Sequence, residues 1–272
     1  MRTILHKDAI LPRFHIFFPM HVILFDIDGT LVRTGGAGKA AMEEALRSVF
    51  GLPKVKDGIP YAGRTDRAIA RDLLVLHGIG PQEENINRLQ EAYLHYLPEM
   101  LRQRGGTICP GVPEVLERLS AAPGVLLGLL TGNIRQGAQR KLQHFGLWDY
   151  FAGGGFGDDY VDRDDVARSA LQNLGVAEAS RSFARNIWVV GDTPLDIRSA
   201  RAIGAQAVAV ATGWHSLEVL ADHRPDWLFP NLHHAAPLIT IWCQMPDSMQ
   251  SERGNLHHLR RAGPCFKHHP GN

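Results

Sequence analysis

Short apolar runs without polar interruption alternate with helix-length segments over most of the chain. A run that is apolar at every position predicts a strand buried on both faces, as in parallel sheets. Such runs occur at residues 22–25, 125–130, 150–152, 187–190, 207–210 and 227–229. Predicted helices separate the later runs, at residues 134–145, 164–174, 195–203 and 217–221. This order predicts the α/β class, with a Rossmann-like parallel sheet and helices on both faces.

The part of the chain after the first predicted strand has a different pattern. It shows helical periodicity and no strand pattern, at residues 38–50, 65–77 and 84–104. This predicts a helical cap at residues 34–105, inserted into a core of residues 20–33 and 106–240. We predict that residues 1–19 are an N-terminal extension and that the polar, histidine-rich residues 241–272 are a disordered tail.

Composition limits the kinds of partner. The 272 residues include 29 Lys and Arg against 28 Asp and Glu, for a net charge of +1. This balance gives no basic field of the kind that binds nucleic acid or an anionic membrane, and no apolar run approaches the roughly 20 residues that cross a bilayer. The 3 cysteines are too few for a disulfide framework, which favours a reducing compartment. We expect a cytoplasmic protein with a small-molecule partner; the oligomeric state does not follow from the sequence.

Residues 34–41, TGGAGKAA, hint at a phosphate-binding loop. The nucleotide-binding form of that loop requires a glycine five positions before Gly38 and a hydroxyl after Lys39. Those positions hold Arg33 and Ala40. We therefore interpret these glycines as a hinge that leads into the cap.

Polar residues follow several predicted strands at the point where each strand ends. Ligands of open parallel α/β sheets bind at this edge. We therefore expect one cluster to contain Asp26, Asp28, Thr131, Asp192 and Asp196. Crowded carboxylates repel one another unless a cation is bound, and oxygen ligands suit magnesium, which also contacts phosphate groups. The sequence thus predicts Mg²⁺ and an anionic substrate.

Three motifs resemble those of the haloacid dehalogenase superfamily of phosphohydrolases. They are DIDGT at residues 26–30, LLTGN at residues 129–133 and GDTPLDI at residues 191–197. Their order agrees with that superfamily over about residues 20–236, and the helical insertion resembles its C1 cap. Within the superfamily, the chain is most similar to the phosphoglycolate phosphatase-like members.

The resemblance implies a Mg²⁺-dependent phosphatase that hydrolyses a small phosphomonoester, phosphoglycolate-like or a sugar phosphate, through an aspartyl-phosphate. Asp26 would be the nucleophile, and Asp28 would protonate the leaving alcohol and then activate water. Phosphoryl oxygens would be bound by Thr131 together with Gly132 and Asn133.

The same resemblance implies a ligand set for the metal. Asp26, Asp192 and the backbone carbonyl of Asp28 would bind Mg²⁺ directly. Asp196 would bind it directly or through a water molecule.

The superfamily's third motif, a lysine, is missing from the matching residues 156–165. Arg163 is the best substitute, because a guanidinium can neutralise a transferring phosphoryl group, and Arg168 is the second choice. A pairing of Arg163 with surface Asp162 and Asp164 remains an alternative.

The loop at residues 61–66, YAGRTD, resembles the segment with which C1 caps reach the leaving group. It predicts that Arg64 and Thr65 bind substrate, with Arg64 meeting a carboxylate or a second phosphate. The alternative is that Arg64 and Asp66 are only the polar residues of a helix start.

Two further classes remain open from the sequence. The missing lysine leaves room for a low-activity regulatory or binding protein on the same fold, and a phosphomutase-type member is a further alternative. A zinc site is not expected, because the candidate ligands fit no compact zinc motif: Cys243, His257, His258, Cys265, His268 and His269.

Overall fold

The computed structural model describes residues 21–177 and 186–244. The predicted extension at residues 1–19 lies outside the described residues, as does residue 245 onward of the predicted tail. In chain order the elements are β1 (His21–Phe25), β2 (Val32–Arg33), α1 (Ala37–Phe50), α2 (Asp66–Leu76), α3 (Glu83–Arg104), β3 (Thr107–Ile108), α4 (Val112–Ser120), β4 (Val125–Leu130), α5 (Arg135–His144), β5 (Gly154–Gly155), α6 (Arg163–Asn173), β6 (Ile187–Gly191), α7 (Pro194–Ala202), β7 (Gln206–Val210), α8 (Leu217–Asp222), β8 (Trp227–Phe229) and α9 (Ala236–Cys243).

The main sheet has the strand order β5-β4-β1-β6-β7-β8, and its strands are all parallel. Side chains along β1 alternate between two cores, as the pleat requires. Ile23 and Phe25 pack with α4, α5 and α9, whereas Val22 and Leu24 pack with α6, α7 and α8. The predicted fold class is therefore confirmed, and the continuous apolar runs follow from burial of both sheet faces.

The strand predicted at residues 150–152 is wrong. Tyr150 ends a 3-10 helix of residues 148–150, and the edge strand is Gly154–Gly155, which pairs with Leu129 and Leu130. A Cβ on Gly154 would lie 2.1 Å from the carbonyl oxygen of Leu129, so this close backbone approach requires glycine. Because glycine has no side chain, the strand leaves no apolar pattern in the sequence.

Helices α1, α2 and α3 pack on one another around their own apolar cluster. They are joined to the core by a short antiparallel ribbon of β2 and β3, in which Val32 pairs with Ile108. At this hinge Gly35 has φ 62°, and a Cβ there would lie 2.6 Å from the carbonyl oxygen of Gly105. The two crossings of the hinge can therefore touch only with glycine at position 35.

The last helix, α9, continues to Cys243, beyond residue 241 where the tail was predicted to start. Trp242 of α9 is fully buried and packs edge-to-face on Trp188 of β6, with ring centroids 5.6 Å apart. That boundary is wrong, because the apolar spacing of Leu238, Ile239 and Trp242 anchors the helix to the core. Among the described helices, none combines the length and apolar character needed to cross a membrane.

Candidate active site

The carboxyl ends of three adjacent strands bring the predicted residues together. Phe25 of β1 pairs with Leu129 of β4 on one side and with Val190 of β6 on the other. The chain therefore leaves the sheet at neighbouring points, where Asp26 lies between the loops of residues 131–133 and 191–193. This is the edge at which open α/β sheets bind ligands.

Asp26, Asp192 and Asp196 form a buried acidic cluster, with one carboxylate oxygen of each within 4.8 Å of the others. Their exposed fractions are 4%, 0% and 2%. Burial, together with the neighbouring Asp196 and Asp28 charges, raises the pKa of Asp26 to about 6, against the opposing effect of Arg163. Burial and the charges of Asp196 and Asp26 raise the pKa of Asp192 well above its usual range.

Arg163 is the cation of this cluster. It begins α6 and is 3% exposed, and its Nη2 lies 2.8 Å from Asp26 Oδ1 and also contacts Asp196 Oδ1. The same guanidinium donates to the carbonyl oxygens of Gly63 and Leu130, at 3.1 and 3.2 Å. Burial alone would lower the pKa of Arg163, but the charges of Asp196 and Asp26 outweigh it and raise that pKa.

The alternative partners of Arg163 are engaged elsewhere. Asp162 and Asp164 pair with exposed Arg198, at 2.5 and 3.1 Å. Arg168, the second choice for this position, pairs with Asp165 on the surface at 2.6 Å. The structure thus places Arg163, and not Arg168, beside Asp26.

The cluster fits a divalent cation. Three carboxylates face one guanidinium, so the charge is not balanced by the residues themselves. Asp192 Oδ1 accepts from the Thr30 hydroxyl at 3.1 Å, whereas the buried Asp192 Oδ2 has no hydrogen-bond partner in the described residues. A buried carboxylate oxygen without a partner is costly and suits a cation.

Asp196 differs from the other two carboxylates. Its Oδ2 accepts from the backbone N–H and the hydroxyl of Thr193, at 2.9 and 2.7 Å, which caps the first turn of α7. Its Oδ1 accepts from Arg163. Both oxygens of Asp196 therefore already accept protein hydrogen bonds, while Asp192 keeps one oxygen without a partner.

A lysine that no sequence motif marks also contacts Asp28. Lys141 is 5% exposed on its side chain, and its Nζ donates to Asp28 Oδ2 and to Asn133 Oδ1, both at 2.6 Å. Asn133 Nδ2 donates to the same Asp28 oxygen at 2.8 Å. Asp28 itself remains 39% exposed. Lys141 lies on the buried side of α5 with Ala138 and Leu142, and that helical spacing was the one signal that could have identified it.

The loop of residues 131–133 is divided between the interior and the site. Gly132 and Asn133 line the cavity above the sheet edge. Thr131 is fully buried, and its hydroxyl oxygen accepts from Asn133 Nδ2 at 2.8 Å. Thr131 is not among the residues that line the cavity, and its contact with a phosphoryl oxygen stays a prediction.

The cap loop lies directly on the core. Asp66 accepts from the backbone N–H of Ile134 at 2.9 Å, and its own N–H donates to the carbonyl oxygen of Gly132 at 2.7 Å. A Cβ on Gly132 would lie 2.0 Å from the carbonyl oxygen of Arg64. Burial raises the pKa of Asp66 to about 6, with Lys141 and the Ile134 hydrogen bond opposing.

Arg64 lines the cavity, whereas Thr65 does not. Arg64 pairs with Asp72 of α2 at 2.7 Å, although it borders the cavity. Thr65 is 1% exposed, and its hydroxyl caps α2 by accepting from the N–H of Ala68 at 3.1 Å. For Thr65, capping the helix therefore replaces the predicted substrate contact, whereas the substrate contact of Arg64 stays a prediction.

A cavity of about 420 Å³ lies between the cap and the core. Asp26, Asp28 and Arg163 line its floor. Of the candidate zinc ligands, only Cys243 lies within the described residues, and the one metal-compatible cluster found among those residues is the acidic cluster above.

Known hydrolases resemble this chain in sequence. A family model described as haloacid dehalogenase-like hydrolase matches residues 23–210. A phosphoglycolate phosphatase of Synechococcus elongatus is 30% identical over 211 residues, which cover 77% of this chain and 92% of that protein. A phosphoglycolate phosphatase of Yersinia pestis is 29% identical over 229 residues, covering 80% of this chain and 93% of the relative.

Solved structures show the same fold. A predicted phosphatase from Clostridium acetobutylicum superimposes with a TM-score of 0.61 at 18% identity, covering 82% of this chain and 99% of its own. CbbY from Rhodobacter sphaeroides, solved in complex with phosphate, gives a TM-score of 0.61 at 18% identity, with 79% and 96% covered.

Proposed function

This chain belongs to the haloacid dehalogenase-like hydrolase family and is a phosphatase of that family, and on that premise we propose that it hydrolyses a small phosphomonoester through a phosphorylated Asp26 with the aid of Mg²⁺. Its substrate is a phosphorylated small molecule. The relatives named above support a phosphoglycolate-like ester, and a sugar phosphate is the other ester that we consider.

The arrangement around Asp26 carries the proposal. The carboxylate lies on the cavity floor between Arg163 and the unpartnered oxygen of Asp192. An oxygen of Asp26 attacks phosphorus, the bond to the leaving alcohol breaks, and Arg163 stabilises charge on the transferring group. Gly132 and Asn133 line the cavity from the neighbouring loop, and the backbone of Gly132 would meet a phosphoryl oxygen there, while the Asn133 side chain stays bonded to Asp28 and Lys141.

Asp28 acts first as the general acid and then as the general base of the proposed reaction. It gives the proton to the leaving alcohol oxygen and then takes one from the water that attacks the phosphorylated Asp26, which releases inorganic phosphate. Its exposure to the cavity suits contact with both the alcohol and the water, and Lys141 and Asn133 fix its orientation.

Asp26 and Asp192 are the side chains that would hold Mg²⁺, with the backbone carbonyl of Asp28; Asp196 would contribute through a water molecule. When bound, the ion neutralises the cluster and polarises the phosphoryl group. Asp196 would mainly hold Arg163 and Thr193 in place.

A low-activity binding protein is the alternative that the missing third-motif lysine leaves open. Two cations, Arg163 and Lys141, lie in hydrogen-bond contact with Asp26 and Asp28, so the site does not lack positive charge. This favours the enzyme proposal.

Metal dependence is the first test. We expect hydrolysis of p-nitrophenyl phosphate with Mg²⁺ and a loss of at least about 10²-fold in initial rate with EDTA, reversed by added Mg²⁺. Asp192→Asn should need a higher Mg²⁺ concentration for half-maximal rate, whereas the exposed Asp222→Asn should not. Wild-type turnover that EDTA leaves intact would contradict the proposed metal.

Lys141→Met should lower kcat by about 10²-fold, because Asp28 loses the donor that orients it for proton transfer. The variant should also lose some thermal stability, because the buried Asn133 Oδ1 loses its donor, so kcat is measured well below the melting temperature of the variant. Arg140→Met removes the neighbouring cation, which does not line the cavity, and serves as the control. Equal kcat for the two variants would show that Lys141 has no part in the reaction.

A further inference from the structure

Trp214 presents an exposed indole to the cavity. It lies on the loop after β7 and lines the cavity, yet it is 83% exposed. Large aromatic side chains bury most of their surface in folded proteins. An uncovered indole that faces a ligand cavity indicates a surface that a ligand covers.

Arg33 lies beside the base of that loop and has a charge available for a ligand. Its Nε donates to the carbonyl oxygen of Thr212 at 2.6 Å, and the residue lines the same cavity. Within residues 21–177 and 186–244, no carboxylate lies within ion-pair distance of Arg33. Each of the other cavity cations has one; the pairs are Arg163 with Asp26, Lys141 with Asp28, Arg64 with Asp72 and Lys39 with Asp57.

The loop after β7 brings Trp214 and Arg33 near the acidic cluster of Asp26, Asp192 and Asp196. A Cβ on Gly213 would lie 1.6 Å from Asp192 Oδ2, so the backbone before Trp214 passes directly over the candidate metal ligand. The Thr212 hydroxyl donates to the carbonyl oxygen of Gly29 at 2.6 Å. The backbone that carries Trp214, and the Thr212 carbonyl that Arg33 donates to, therefore lie beside the acidic cluster at which the leaving group would depart.

The rest of the cavity is larger and more apolar than a two-carbon acid requires. Its volume of about 420 Å³ falls within the range of sites for ligands of drug size. Apolar and aromatic side chains contribute to its wall, namely Val32, Met42, Tyr61, Ile69 and Tyr93.

We propose that Arg33 and Trp214 form a leaving-group subsite that selects phosphate esters whose alcohol carries both a planar ring and an anionic group. The ring lies on Trp214 and the anion pairs with Arg33. This inference rests on the proposed function and goes beyond the phosphoglycolate-like ester considered there, because it adds a planar ring to an anionic leaving group.

The test separates ring from anion with four esters. Phosphoglycolate carries an anion only, phenyl phosphate a ring only, 4-carboxyphenyl phosphate both and ethyl phosphate neither. Dissociation constants are measured by calorimetry with Mg²⁺ in the full chain carrying Asp26→Asn, so that binding is read without turnover. We expect 4-carboxyphenyl phosphate to bind most tightly.

Substitutions assign each preference to its residue. In the Asp26→Asn chain, a second substitution Trp214→Ala should reduce the affinity for phenyl phosphate relative to ethyl phosphate about tenfold. Trp214→Phe in its place should retain most of that preference. Adding Arg33→Met should reduce the ratio of 4-carboxyphenyl to phenyl phosphate about tenfold, and Arg33→Lys should restore part of it. Arg102→Met, on exposed Arg102 of the cap, is the control for loss of a positive charge.

Ratios that do not change, or that change equally with both substitutions, would overturn the subsite. Turnover of the wild-type chain is measured separately on the same esters. Selective binding without wild-type turnover would refute the proposed function but support the subsite. Turnover without a preference for the ring or the anion would support the proposed function but refute the subsite.

Discussion

Asp26→Asn should reduce the turnover of p-nitrophenyl phosphate by at least about 10³-fold, because the amide keeps the shape of the side chain but cannot act as the nucleophile. Initial rates with saturating Mg²⁺ measure this loss. Asp222→Asn, which removes an exposed carboxylate remote from the cavity, should keep the wild-type rate.

Folding should not account for the loss. Because burial raises the pKa of Asp26 to about 6, the folded state binds more protons than the unfolded chain between about pH 4 and 6. Stability from this group is therefore lost as pH rises through about 6, and the charged carboxylate is a cost at neutral pH. Metal-free Asp26→Asn should consequently melt at least as high as the wild type at pH 7.5. A variant that retains more than about a tenth of the rate would refute Asp26 as nucleophile.

Arg163→Met should lower kcat by about 10²- to 10³-fold, since it removes the guanidinium that faces both Asp26 and the transferring phosphoryl group. The variant should also be less stable, because Asp26 and Asp196 lose their shared buried partner. Arg163→Lys should recover part of kcat and of the stability, since it keeps the charge but not the several hydrogen bonds.

Arg168→Met is the matched control, as it lies one to two turns further along α6 and pairs only with exposed Asp165. Urea unfolding midpoints separate stability from chemistry in all three variants. Equal kcat losses for Arg163→Met and Arg168→Met, or none for either, would contradict the place given to Arg163.

The sequence predicted those parts of the site that follow directly from strand ends. Asp26 and Asp192 come immediately after buried strands, and the register of parallel strands is sufficient to bring them together. Arg163 is predicted as the substitute for the missing third-motif lysine, although its contacts with Asp26 and Asp196 depend on how α6 packs.

The other features of the fold and the site depend on tertiary packing, which leaves no local pattern in the sequence. Lys141 lies eleven residues after Leu130, where β4 ends, and it resembles any surface lysine until α5 places it against Asp28. Gly154–Gly155 is a strand because its backbone fits against β4. Thr65 matched a substrate loop by resemblance, but in the structure its hydroxyl caps α2.

Trapping the covalent intermediate tests the central claim most directly. The wild-type chain is mixed with ³²P-labelled phenyl phosphate and Mg²⁺, quenched in acid within milliseconds, reduced with borohydride and digested, and the modified peptide is identified by mass spectrometry. We predict an acid-stable, hydroxylamine-sensitive label and conversion of Asp26 to homoserine. Steady turnover with no trapped label, or with the reduced residue at Asp28 or Asp192, would contradict a phosphorylated Asp26.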